Sequence, residues 1–267
     1  MSIRILILLI ALWGLDAALA GERLRLATTT STDNSGLLAR LNPAFTERTG
    51  IAVDVIAVGT GKALRLGQNC DVDVVLVHAP AAEKAFVEAG YGINRLAVMH
   101  NDFLIVGPEA DPAGVRQAKS ATEALQKIAR AGAPFVSRGD DSGTHKKERY
   151  LWRQAGIEPE GNWYYAIGQG MGAALTFAAE KRAYVLTDRG TWLAMRAKLP
   201  GLSVAFEGDP ALYNPYHIIA VNPKRCPHAN FDAAMRYAAF LTGPVGQRLI
   251  GEFKVAGEQL FLPDVLP

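Results

Sequence analysis

From Leu24 to Glu252 the chain alternates short apolar runs with amphipathic stretches of helical period, and this alternation restricts the fold more than any other feature. Leu24 to Ala27, Ile51 to Val58, Val72 to Val77, Phe103 to Val106, Phe135 to Ser137, Ala183 to Leu186 and Tyr216 to Val221 read as strands. Leu37 to Thr49, Lys62 to Leu66, Ala81 to Ala89, Ala121 to Ala131, a charged stretch ending near Gln154 and Ala173 to Lys181 read as helices. Thr191 to Ala197, Phe231 to Leu241 and Gly246 to Glu252 complete the set. In the first helix Leu37, Leu38, Leu41 and Phe45 share one face, and Gly50 ends it. Strands alternating with helices predict an α/β fold with a mainly parallel sheet covered by helices. At 267 residues the chain is expected to form one large domain or two smaller ones.

Residues 1–20 differ in kind. Met1 to Arg4 is a short basic start, Ile5 to Leu15 is apolar, and Ala18-Leu19-Ala20 is a small-x-small cleavage pattern. They read as a secretory signal peptide, with export to the periplasm and a mature chain beginning near Gly21. The apolar run is too short to span a bilayer, Asp16 interrupts its end, and no later segment is long and apolar enough to cross a membrane. The balance of 28 Lys+Arg against 26 Asp+Glu gives a net charge of +2, with no basic run to suggest nucleic-acid binding. Export permits Cys70 and Cys226 to pair, and the sequence leaves the disulfide and two free thiols both open. No CxxC occurs and the five histidines are scattered, so no metal site is expected.

Three strand-to-helix junctions carry small residues and hydroxyls where a helix begins: Thr28 to Thr32, Gly59 to Lys62 and Arg138 to Thr144. Gly168 to Gly172 is a fourth. Unpaired N–H groups and the positive end of the helix dipole make such starts attractive to anions, although Ser, Thr and Gly also cap helices with no ligand present. The Arg138 loop has the most chemistry. A guanidinium fork suits a tetrahedral oxyanion, and Ser142, Gly143 and Thr144 follow it with donors and close backbone approach. Asp140 and Asp141 would repel an anion if they faced it.

Enzymatic motifs fail on inspection. Gly59-Thr60-Gly61-Lys62 lacks the earlier glycine and the magnesium-binding hydroxyl of a nucleotide-binding loop, since Ile56 and Ala63 stand there. Gly168 to Gly172 lacks dinucleotide spacing, and Ser142 in GDDSG is not a nucleophile elbow. An exported phosphoryl- or sulfuryl-transfer enzyme could use Arg138 as a clamp, but it would need a nucleophile or a metal, and neither is found. No catalytic residue and no cofactor is expected.

ATTTSTDNSGLL from Ala27, VGTGKAL from Val58, DVDVVLVHAP from Asp71 and SRGDDSGTHKKE from Ser137 resemble the tungstate-binding proteins of ABC uptake systems. GQGMGAAL from Gly168 and AYVLTDRGT from Ala183 extend the likeness over nearly the whole mature chain. Phosphate-binding proteins, which share an Arg followed by a Ser-Gly-Thr loop, and molybdate-binding proteins are more distant relatives. The resemblance implies a periplasmic-binding-protein fold, two α/β lobes joined by two crossover strands with an anion between them. The crossings are expected near Leu96 to Val106 and near Tyr216 to Val221. Residues 21–98 and 218–267 would form lobe one, and 99–217 lobe two.

By the same resemblance Thr29, Thr30, Ser31, Thr60 and Gly61 face the cleft from lobe one. Arg138, Ser142, Gly143, Thr144 and the Met171 backbone face it from lobe two. The implied ligand is tungstate, with molybdate of the same charge and shape as the alternative, and the implied partner is a membrane permease. A monomer is expected. Phosphate would need a proton acceptor in the cleft, which an inward-facing Asp140 or Asp141 would supply. The one departure noticed is Cys70, where the resemblance implies Gly.

Overall fold

The computed structural model describes residues 21–265; the expected signal peptide lies outside them. β1 (Arg23–Thr29) is followed by α1 (Thr30–Asn34) and α2 (Leu37–Thr49), β2 (Ala52–Val58) by α3 (Thr60–Gln68), and β3 (Val74–Val77) by α4 (Pro80–Glu88). The long β4 (Gly92–Pro108) leads to α5 (Ala121–Ala131), β5 (Phe135–Ser137), α6 (Gly143–Gln154), β6 (Tyr164–Ala166) and α7 (Met171–Lys181). β7 (Tyr184–Asp188), α8 (Arg189–Met195) and β8 (Leu202–Phe206) come next, and β9 (Tyr213–Val221) returns the chain. α9 (Phe231–Thr242), α10 (Pro244–Gly251) and the short β10 (Lys254–Val255), β11 (Glu258–Gln259) and β12 (Leu262–Pro263) end it.

The main sheet runs β2-β1-β3-β9-β4-β7-β5-β6, with β8 and β12 also paired to β4. β1 is parallel to β2 and β3, and β5 is parallel to β6 and β7. Between these two parallel half-sheets β4 and β9 run antiparallel to each other, with Asn101 opposite Asn214. β4 has 17 residues, about 55 Å when extended at the usual rise per residue. Its first part pairs with β9 and β12, and Phe103–Pro108 pairs with β7 and β8. The two stretches expected to be crossings lie within β4 and β9.

Apolar burial follows the sequence pattern. The expected face of α2, Leu37, Leu38, Leu41 and Phe45, is buried against Leu24 and Leu26 of β1. A second cluster gathers Phe103, Ile105, Leu125, Ile128, Phe135, Leu151 and Trp152 between β4, α5, β5 and α6. Each such side chain stabilises the fold by roughly 1.5–3 kcal/mol. Gly50 ends α2 at φ 74°, where its N–H bonds Thr46 O, a left-handed conformation open to glycine.

β6 and β8, of 3 and 5 residues, are absent from the reading of the sequence; each pairs on one side only, with β5 and with β4. Four helices begin two residues earlier than expected, α8 at Arg189 and α10 at Pro244 among them. α3 starts at Thr60 and α7 at Met171, since Gly59 and Gly170 adopt the extended conformation of a cap and the residues after them are already helical. Cys70 and Cys226 form a disulfide with Cα atoms 5.4 Å apart.

Candidate functional site

β1, β2, β5, β6 and β7 each deliver the chain directly into a helix start. Thr29 caps α1: its hydroxyl accepts from Thr32 N at 3.3 Å and lies 2.6 Å from Thr32 Oγ1 and 3.2 Å from Ser31 Oγ. Thr29 is therefore buried and committed to its own turn, while Thr30 is exposed. Thr30 and Ser31 line a cavity of 390 Å³, joined by Asn34 and Ser35. Across it stand Arg138, the start of α7 from Gly170 to Ala173, and Gly190, Thr191, Ala194 and Met195 at α8. Four of the ten expected site residues, Thr30, Ser31, Arg138 and Met171, thus line one space fed by both half-sheets.

The other six belong to helix starts. Thr29 caps α1, as above. Thr60 and Gly61 open α3, while Ser142 caps α6 by accepting from His145 N at 3.2 Å. Gly143 and Thr144 are the first residues of α6. The starts of α3 and α6 meet: a Cβ placed on Gly143 would lie 3.2 Å from Thr60 Oγ1. Thr60 Oγ1 and Thr144 Oγ1 are both buried with no hydrogen-bond partner. A buried unpaired hydroxyl costs about 1–3 kcal/mol, so the pair is idle donor capacity unless a ligand uses it.

Arg138 is 5% exposed. Its Nε and Nη2 donate to Asp140 Oδ2 at 3.1 and 2.5 Å, and Asp140 Oδ1 accepts from Ser142 N at 3.2 Å. Burial pulls the Asp140 carboxyl upward, but Ser142 and Arg138 outweigh it and hold it below the usual carboxylate range. Asp140 therefore orients the guanidinium and is charged. Asp141, at φ 57°, lies outside the cavity lining, with one carboxylate oxygen paired to Lys146 and the other against Gly61. The α7 start is tied to the same loop through Gln169 N, which bonds Arg138 O at 3.1 Å.

Sequence reasoning missed the fifth junction. Asp188 is buried and caps α8, accepting from both Thr191 N and Thr191 Oγ1 at 2.8 Å. The signal was present in Thr187-Asp188-Arg189-Gly190-Thr191, which has the same strand, cap and small-residue design as the Arg138 loop.

Behind the Arg138 loop, Glu148 anchors α6 to β6. Its Oε1 accepts from Tyr164 OH at 2.7 Å and Trp152 Nε1 at 3.2 Å. Burial pushes the carboxyl up from 4.5 to about 7; Ser137, then Tyr164 and Trp152, and the charge of Arg149 oppose this only in part. The native state then keeps its proton between about pH 4.5 and 7 while the unfolded chain has lost it, so stability falls as pH rises through that window and is level above it. Glu148→Gln, which keeps an acceptor oxygen and cannot ionise, is expected to be more stable than the parent by about 2–3 kcal/mol at pH 8 and equal to it near pH 4. Melting curves of both proteins at the two pH values check this; equal melting at pH 8 would refute it.

No group of three or more His, Cys, Asp or Glu among the described residues could hold a metal ion, and no described helix is long and apolar enough to cross a membrane. Residues 17–245 match the family model of the PBP superfamily domain. The tungstate-binding protein TupA of Peptoclostridium acidaminophilum is 48% identical over 243 residues, 90% of this chain and 85% of that one. The solved tungstate-binding protein TupA of Desulfovibrio alaskensis G20 superposes with a TM-score of 0.82 at 51% identity, covering 92% of this chain and all of that one. The solved tungstate ABC transporter protein of Geobacter sulfurreducens gives 0.80 at 54% identity, over 87% of this chain and 99% of that one. With the model matched over most of its length and with relatives this similar, the chain belongs to the PBP superfamily and, within it, to the family of the TupA proteins.

Proposed function

We propose that this protein is the solute-binding component of an ABC uptake system. It captures tungstate between two lobes in the periplasm and delivers it, as a monomer, to a membrane permease. Residues 21–98 with 218–267 are read as one lobe and 99–217 as the other. The observation that carries the reading is the pair of buried, unpartnered hydroxyls on Thr60 and Thr144 at two helix starts from opposite half-sheets, with Arg138 held between Asp140 and the cavity. Thr30, Ser31 and the Met171 N–H add donors from the cavity wall, and Gly143 lets the backbone approach. Neutral donors and one guanidinium replace the hydration shell of a dianion without a second full charge. Contacts from both lobes favour the closed form, which is the only way a ligand can drive closure. No bond is broken, and no nucleophile is required.

The charge arrangement selects against phosphate. The Asp140 carboxylate is taken up by Arg138 and Ser142 N, and Asp141 pairs with Lys146, so neither offers the acceptor that monoprotonated phosphate needs. Sulfate is smaller and would leave donors stretched. Molybdate matches tungstate in charge and shape and is the second ligand. Thermal unfolding of the dialysed mature protein with each of the four anions tests the reading, since a native-state ligand raises stability by mass action. A large shift with tungstate, an equal or smaller one with molybdate and none with sulfate or phosphate is expected. A shift with phosphate alone would overturn the assignment, and none with any anion would reduce the loops to helix caps.

A further inference from the structure

The two half-sheets touch at a point that lines no part of the 390 Å³ cavity. His78 follows directly on the β3 strand and is buried. A Cβ on Gly143 would lie 2.8 Å from His78 Cε1 and 3.2 Å from His78 Nδ1, so the first residue of α6 rests on the imidazole. Gly143 has no left-handed φ; glycine is required there for space, not for backbone freedom. The ring cannot yield easily. It stacks on Tyr216 at 4.7 Å, and its Nδ1–H donates to Asn214 Oδ1 at 2.9 Å. Asn214 Nδ2 donates in turn to Asn101 Oδ1 at 2.6 Å and to Tyr216 OH at 3.1 Å. Asn101 and Asn214 face each other on β4 and β9, the strands that join the half-sheets. Beyond the contact the seam opens into a 640 Å³ cavity between α4 and α6, so Gly143 meets His78 at a local point and not along a packed wall. A second contact crosses the same seam, where a Cβ on Gly61 would lie 2.8 Å from Asp141 Oδ2.

We propose that His78 is the stop against which the start of α6 closes, and so a positioning residue for anion capture: fixed to the joining strands through Asn214, its ring sets where Gly143, Thr144 and the Arg138 loop come to rest over the ligand. This rests on the tungstate reading above, in that closure is taken to serve capture of the anion. Gly143 then serves as a seat as well as a site of close approach, and its methyl-bearing variant should hold the lobes apart. The test is a double-mutant cycle read by calorimetry with sodium tungstate, with ligand-free melting recorded for each protein. Gly143→Ala is expected to weaken tungstate binding at least tenfold. His78→Ala is expected to weaken it several-fold by removing the stop. The combination Gly143→Ala with His78→Ala should bind at least fivefold more tightly than Gly143→Ala alone, because the missing ring makes room for the methyl group. Losses that multiply would overturn the proposal, since Gly143 would then act through the ligand only. Should Gly143→Ala fail to fold, the unmodified protein decides the matter. The imidazole resonances of His78, assigned by comparison with His78→Ala, should move on saturation with tungstate, because closure presses Gly143 onto the ring. Unmoved resonances in a protein shown to bind tungstate would refute the stop, whereas absence of tungstate binding in the unmodified protein refutes the functional reading instead.

Discussion

Arg138→Ala is expected to lose tungstate affinity by about 100-fold or more, the largest single effect at the site. A hydrogen bond to a charged group contributes about 1.5–3 kcal/mol, and each 1.4 kcal/mol is a factor of ten in affinity. The structure adds a second loss. Arg138 is the partner of the half-buried Asp140, so truncation leaves a carboxylate beside the place where an anion must settle. The double variant Arg138→Ala with Asp140→Asn should therefore recover part of the affinity although it restores no donor. Arg138→Lys should fall between, because an ammonium cannot reproduce the fork that reaches Asp140 through two nitrogens. Calorimetry on the four proteins decides. Binding within threefold of the parent in Arg138→Ala would place the anion elsewhere, and an unimproved double variant would show that Asp140 exerts no repulsion.

The fold was legible where one residue pattern governs one element. Ala121–Ala131 and Phe135–Ser137 fall where the periodicity puts them, because a single apolar face faces a single core. The alternation implied a mainly parallel sheet; β1 is parallel to β2 and β3, and β5 to β6 and β7, but every pairing made by β4 or β9 is antiparallel, so the sheet is mixed. What stayed hidden is set by pairing across the chain. β4 continues from Gly92 to Pro108 although its middle, Asn94 to Ala97, is polar or exposed in part; its strand character comes from the β9 ladder, not from its own composition. β6 and β8 are defined in the same way by the edges they complete.

At the site, the local chemistry of the loops could be read and their mutual placement could not. Hydroxyls and glycines at strand ends announced helix starts with free donors. Which hydroxyl is spent on its own turn depends on backbone angles: Thr29 closes the α1 cap, and Thr30 next to it lines the cavity. The roles of the two aspartates were likewise open. A φ of 57° at Asp141 sends its carboxylate toward Lys146, while Asp140 folds back on Arg138. Adjacent residues of one type acquire opposite duties through one left-handed step, which composition does not record.

Breaking the Cys70–Cys226 disulfide is expected to lower the melting temperature by roughly 5–15 °C while leaving tungstate affinity within threefold. The two cysteines are 156 residues apart, and the intervening chain runs out along β4, builds α5 to β8 and returns on β9. The bond therefore fastens together the two loops that flank this excursion, one after α3 and one after β9, and denies the unfolded chain a very long loop. Loop-closure entropy alone would give roughly 5 kcal/mol for so long a loop, while disulfides typically contribute about 2–4 kcal/mol, and each kcal/mol is about 2–4 °C for a domain of this size. The variant must isolate the crosslink from its surroundings. Cys70 sits at φ 66°, a conformation glycine adopts without strain, and glycine is what the family resemblance implies there. Cys226 is 1% exposed in an apolar cluster with Val72 and Phe86, so alanine keeps its packing closer than serine would. Cys70→Gly with Cys226→Ala removes the bond with the least other damage. Neither cysteine lines the cavity, which is why binding should persist. An unchanged melting temperature would show that the β1–β3 half-sheet and its helices hold together across the excursion by their core and ladders alone, and a loss of affinity would mean that the staple also sets the position of α3, whose first residue is Thr60.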